Sequence, residues 1–193
     1  MDLDALKEVA NIGTGQASMA LSLLFDQRVD IGLPKISIVK LSDIGKNLNS
    51  AETMVGIYSG LKEGLEGNIL LILPLDSALK LTNKLHGKDS IRLETEDILV
   101  LGKIGSIMNS CYLTGVAQLL GQRIKFQAPN VVSIFGNSLA DFLAVSMAED
   151  VKLMLVDIDF DVKEFGIKGG FVLLLTIDSL YPLITKLQQK MLG

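Results

Sequence analysis

The sequence predicts an α/β protein, internally duplicated about a pseudo-two-fold axis, with a β-sheet core flanked by two long helices. Three observations carry that prediction. The chain repeats itself at a long period, each copy opens on a long helix-forming stretch, and each continues into short Val/Ile-rich runs. With 193 residues, 49% of them hydrophobic and 21% charged, the chain fills a core and is not disordered. A single domain is expected over 1–193, made of two repeats at about 1–94 and 95–193.

The repeats appear in two registers. At an offset of 95, "LKEVANIGTGQASMALSLLFDQRVDIGLP" (6–34) lies over "LGKIGSIMNSCYLTGVAQLLGQRIKFQAP" (101–129), with Leu6/Leu101, Ile12/Ile107, Leu24/Leu119, Gln27/Gln122, Arg28/Arg123 and Pro34/Pro129 identical. At an offset of 102, "GNILLILPLDSALKLTNKL" (67–85) lies over "GGFVLLLTIDSLYPLITKL" (169–187). The difference marks an insertion in the second half before residue 169.

The elements follow in order. A helix is expected over about 3–25, then strands within "RVDIGLPKISIVKL", "TMVGIYSG" and "NILLILP". The second half offers a helix over about 95–120 and strands within "RIKFQAPNVVSIF", "KLMLVDIDFDV" and "GFVLLLT". Pro34 and Pro129 suit the start or edge of a strand. A shorter helix closes each half, with Asp76 and Asp178 as N-caps. "SLADFLAVSMAED" adds a helix unique to the second half.

Several function classes are excluded. The 18 basic and 22 acidic residues give a net charge of −4 without a dense Lys/Arg run, which argues against nucleic acid and anionic membranes as partners. "ILLILPL" and "FVLLLTI" are far shorter than the roughly 18 apolar residues a membrane span needs. The acidic start "MDLDALKE" lacks the features of a signal peptide, so a cytoplasmic protein is expected. Cys111 and His86 are the only cysteine and histidine, which excludes a disulfide framework and a zinc site of several Cys/His ligands. The surroundings of His86 do not support a Cys–His catalytic pair. Cys111 and the scattered methionines read as core residues.

The stretch "ANIGTGQAS" decides between a phosphate-cradling loop and an unusual helix. A phosphate loop follows a strand, and its Gly-Lys-Ser/Thr is absent. In the helical reading, about 100° per residue gathers Leu6, Val9, Ala10, Gly13, Ala17, Ala20, Leu21 and Leu24 on a core face. Gly13 then permits close helix packing. Opposite lies a stripe of Asp4, Glu8, Asn11, Gly15, Ser18 and Ser22. Its side chains are short around one Glu and one Asn, a low profile that suits close approach by another macromolecule.

Asp-x3-Glu-x2-Asn-x22-Pro, read as Asp4, Glu8, Asn11 and Pro34, resembles the signature of the CheC/CheX/FliY phosphatases of bacterial and archaeal chemotaxis. "KEVANIGTGQAS" is similar to that family's "EIGNIGAGNA"-type helix, and the duplicated layout is similar throughout. The resemblance implies a CheC-like fold and hydrolysis of the aspartyl-phosphate on the response regulator CheY. It makes Asn11 the catalytic residue, orienting a water, and Glu8 the residue that meets a lysine of the regulator. Partner binding would involve Asp4, Glu8 and Gly15, although Asp4 also suits a helix N-terminus by charge alone. No cofactor is implied for this chain, because the divalent metal would be carried by the regulator.

The second copy departs from the signature. Asp4, Glu8 and Asn11 map to Leu99, Lys103 and Ser106, while Pro34 maps to Pro129. Lys103 reverses the docking charge and Ser106 is too short to replace the amide, so one working site and one degenerate site are expected. Leu99 and Leu113 would make the second face more apolar. Asn109 is no substitute, since it corresponds to Thr14 and has no Glu three residues before it. The alternative is a non-catalytic adaptor binding CheD or a response regulator. A FliY-type switch subunit is disfavoured because the chain ends at Gly193.

Overall fold

The computed structural model describes residues 3–40, 53–135, 152–182 and 185. In chain order its elements are α1 (Leu3–Phe25), β1 (Asp30–Ile31), β2 (Lys35–Lys40), β3 (Thr53–Glu63), β4 (Gly67–Pro74), α2 (Leu75–His86), α3 (Thr95–Leu120), β5 (Lys125–Phe126), β6 (Asn130–Phe135), β7 (Lys152–Val162), a 3-10 turn at Lys163–Phe165 and β8 (Ile167–Thr176). Residues 177–182 are again helical. The helix expected over "SLADFLAVSMAED" lies outside the described residues.

Each long strand-like run after a long helix divides in two around its proline. Pro34 and Pro129 stand immediately before β2 and β6, where a residue without an N–H does not interrupt a ladder. The offset of 95 carries β1 onto β5 and β2 onto β6 residue for residue.

The described strands form one antiparallel sheet ordered β1-β7-β8-β4-β3-β5, with β2 also pairing β7 and β6 also pairing β3. The two halves exchange strands. From the first half, β1 and β2 pair with β7 of the second, Lys35 facing Asp157 and Lys40 facing Lys152. From the second half, β5 and β6 pair with β3 of the first. The pseudo-two-fold axis falls between β4 and β8. Leu70 and Val172 face each other there, and the offset of 102 maps one onto the other.

The middle of the sheet is apolar on both faces, which explains why "NILLILP" and "FVLLLT" read as continuous runs without alternation. Ile69, Leu71, Leu73, Leu173 and Leu175 join the main cluster beneath the helices. Leu70, Ile72, Val172 and Leu174 form a second cluster on the other face with Leu153. Full burial of each such side chain is worth about 1.5–3 kcal/mol. Gly67, at φ +151, crosses so close to β8 that a Cβ would lie 2.0 Å from the Leu174 carbonyl oxygen.

Above the main cluster, α1 lies against α3. A Cβ at Gly13 would fall 2.6 Å from the Tyr112 ring, and one at Gly115 would fall 3.1 Å from Ile12 Cγ2. Tyr112 is fully buried and its ring meets Phe171 of β8 at 4.9 Å between centroids. The polar neighbour of Gly13 is also accounted for: buried Thr14 donates its hydroxyl to the Ala10 carbonyl at 2.7 Å. Cys111 is half-buried and packs on the same core.

The N-cap expectation for the short helices does not hold. Pro74, at φ −51 and ψ 144, is the N-cap of α2, and Asp76 sits inside the first turn with its carboxylate 2.6 Å from Lys80 Nζ. Strand β4 runs straight into the helix, leaving no loop for a capping aspartate. Asp178 is likewise within the helical stretch that begins at 177.

The α2–α3 connection is tied by charge. Asp97, its side chain fully buried, accepts from the Glu94 amide at 2.9 Å and from Lys88 Nζ at 3.0 Å, and its second oxygen lies 3.2 Å from His86 Nδ1. Lys88 also reaches Glu94 and Glu96. His86, Glu96 and Asp97 are close enough to surround a cation, but the Lys88 ammonium already bonds two of these carboxylates. Burial pushes the Asp97 carboxyl up, yet the Glu94 amide, Lys88 and His86 together hold it below the usual range.

A depressed carboxylate contributes stability that is present above its unfolded pKa of about 3.9 and is lost as pH falls through the folded value. The thermal midpoint should therefore drop on acidification below about pH 4. Asp97→Asn should lower the midpoint near neutrality and make the acid drop shallower. An unchanged acid limb in the variant, followed by circular dichroism, would remove Asp97 from that role.

Candidate functional site

The exposed face of α1 follows from what its other face buries. Ala10, Gly13, Ala17 and Leu21 are buried against α3 and the sheet, so Glu8, Asn11 and Gly15 are left exposed. Glu8 and Asn11 are three residues apart, about 4.5 Å along the axis, and project from the same side. Neither side chain is hydrogen-bonded or ion-paired to another described residue. At Gly15 a Cβ would meet nothing within 4 Å. A carboxylate and a carboxamide thus stand on an open helix surface, one turn from a position with no side chain.

The other expected members of the stripe fall differently. The side chain of Asp4 lies outside the described residues, as do those of Leu6 and Val9. Ser18 and Ser22 are half-buried. The line from Glu8 through Gly15 continues instead to Met19 and Leu23, which are 60% and 77% exposed. Met19 therefore departs from the expectation that the methionines are core, whereas Met108 and Met154 fulfil it. The signal was present in the helical period. Eleven residues at 100° bring position 19 to within about 20° of Glu8. The residue type, which is usually buried, argued the other way.

On α3, Lys103 is exposed and Ser106 half-buried, and Leu99 is 63% exposed. Leu113 is not on that face. It is 3% exposed and belongs to the main core, because the helix turns position 113 toward α1 and the sheet. Asn109 is buried and donates to Ser59 Oγ at 2.9 Å, so it cannot meet a macromolecular partner. The second face therefore carries a cation and an apolar residue where the first carries Glu8 and, at position 4, an aspartate.

Comparison with known proteins finds relatives of this chain. The model of the CheC-like family matches residues 1–38, the span holding Asp4, Glu8, Asn11 and Pro34. The CheY-P phosphatase CheC of Bacillus subtilis is 26% identical over 148 residues, covering 73% of this chain and 71% of that one. The flagellar motor switch phosphatase FliY of the same species is 25% identical over 95% of this chain, which spans 47% of that protein. This chain is similar to members of the CheC/CheX/FliY family. Among solved structures, FliY of Thermotoga maritima superposes with a TM-score of 0.77 at 19% identity, over 97% of this chain and 96% of that one. The chemotaxis protein CheX from Desulfovibrio desulfuricans superposes at 0.60 and 12% identity, over 87% of this chain and 99% of that one. At these identities the structural matches establish the shared CheC-like fold and nothing of the activity.

The two carboxamides on matching helices give a direct check of exposure. Asn11→Ala should leave stability within about 0.5 kcal/mol, as for a surface side chain. Asn109→Ala should cost about 1–3 kcal/mol, because it strands the buried Ser59 hydroxyl. Urea unfolding of both variants measures this, and equal losses would contradict the placement.

Proposed function

We propose that this protein hydrolyses the aspartyl-phosphate of a CheY-type response regulator, with Asn11 as the catalytic residue and Glu8 as the docking residue. The observation that carries the reading is the exposed Glu8/Asn11 pair one turn apart on an open helix face, its side chains without a partner among the described residues, with Gly15 beside it. The relative named CheY-P phosphatase CheC, and the flagellar motor switch phosphatase FliY as a further phosphatase, support it from the sequence side.

The chemistry suits these residues. An acyl phosphate is already activated, so the task is to place a water in line with phosphorus. The Asn11 carboxamide oxygen can accept a hydrogen bond from that water. The water oxygen then bonds to phosphorus as the bond from phosphorus to the aspartyl oxygen breaks. The electron pair stays on the aspartate, and inorganic phosphate leaves with the protons of the water. A neutral amide takes no proton in this step; positioning is its contribution, comparable to that of the water-orienting glutamine of small GTPases. The divalent cation that neutralises the phosphoryl oxygens is assigned to the regulator. Glu8 supplies a negative charge for a lysine beside the phosphorylation site, which gives recognition and register more than raw affinity.

Lys103 and Ser106 cannot repeat this on α3. The charge is reversed, and a serine hydroxyl is shorter than a carboxamide by the atoms needed to reach the water. The first face is therefore the single hydrolytic site in this reading.

Decay of the phosphorylated regulator, followed with and without the protein, tests the proposal. Asn11→Ala should lower dephosphorylation by about 10²-fold while binding persists. Glu8→Lys should weaken binding, because an attraction becomes a repulsion. Full turnover by a folded Asn11→Ala variant would exclude the site. Binding by the wild-type protein without turnover would favour the adaptor alternative.

A further inference from the structure

The candidate site does not end at Gly15. Met19 and Leu23 continue the line of Glu8, Asn11 and Gly15 toward the C-terminal end of α1, and both side chains stand in solvent. Isolated exposed apolar residues are ordinary, but two in succession along the same helical line as the site's polar pair are not. The duplication supplies an internal control. The offset of 95 maps Met19 onto Thr114 and Leu23 onto Gln118, both exposed on α3. The same two places in the same fold are therefore polar on the helix that carries Lys103 and Ser106. They are apolar on the helix that carries Glu8 and Asn11.

We infer that Met19 and Leu23 are specificity-determining residues of the α1 face, forming the apolar half of the surface on which the receiver domain of the phosphorylated regulator docks. The inference rests on the proposed function for the choice of partner. The helix rise sets what that partner must present. Met19 and Leu23 lie about 12 and 18 Å along the axis from Asn11 at 1.5 Å per residue. The regulator then needs a cation near its phospho-aspartate for Glu8, and an apolar patch about 12–18 Å away in the direction of α1. Glu8 steers and fixes register, Asn11 acts at the phosphoryl group, and the Met19/Leu23 pair supplies the area that leaves water on docking. Methionine suits this role because its unbranched side chain adapts to the opposing surface.

The test uses the residues of the second copy. The double variant Met19→Thr/Leu23→Gln is compared with the wild-type protein and with Asn11→Ala by titration against the beryllofluoride-loaded regulator and by turnover of the phosphorylated one. The double variant should bind about tenfold more weakly, roughly 1.4 kcal/mol, with its thermal midpoint unchanged. Asn11→Ala should bind normally and fail in turnover. An unchanged affinity of the folded double variant overturns the inference, and so does a wild-type protein that does not bind the regulator. Light scattering provides a further check. A wild-type dimer that becomes monomeric in the double variant would assign the pair to a second copy of this chain and overturn the inference. Normal binding that depends on Met19 and Leu23 but leads to no hydrolysis would fail the proposed activity and leave the docking surface standing.

Discussion

A side chain at position 13 would put its first carbon 2.6 Å from the ring of Tyr112, so α1 can lie on α3 only because residue 13 is glycine. That contact sets the rotation of α1 about its own axis. With Gly13 turned onto the ring and Ala17 and Leu21 turned into the core, Glu8, Asn11 and Gly15 are left exposed. Tyr112 is itself held from below by Phe171, so the placement of the site is transmitted from the middle of the sheet through one aromatic pair. Glycine in a helix interior costs about 1 kcal/mol against alanine, and the close helix packing it allows offsets that loss.

The strand exchange makes the two halves inseparable. Neither copy could fold alone with its edge satisfied, because β3 and β7 each take their outer neighbours from the opposite half. A duplicated unit of this kind is free to change one functional face while the shared sheet holds both helices in place. The two helix faces differ at corresponding positions. Glu8 and Asn11 remain on one helix, and Lys103 and Ser106 stand on the other, on backbones that the same sheet supports.

The charged tie at the start of α3 is a second, independent anchor. Asp97 is buried and could not remain ionised without partners, so Lys88, His86 and the Glu94 amide gather around it. Its place in the fold is structural. It fixes where α3 begins, and therefore which of its residues reach the contact with α1.

Much of the protein was legible in its residues. Local periodicity determined both long helices, the strand-bearing segments and the outward turn of Glu8 and Asn11, because each depends on neighbours within a few positions. The long-period identities gave the duplication. Other features were settled only by tertiary contact. The Asp76 cap failed because a strand enters α2 directly, which no capping pattern reveals. Leu113 went to the core and Met19 to the surface because a rotation of a few tens of degrees, set by Gly13 on Tyr112, decides which flank of a helix is covered. The exchange of β1–β2 and β5–β6 between halves was also hidden. Alternation along a strand specifies which face is buried but not which strand lies beside it, and that choice is made by the packing of the whole sheet.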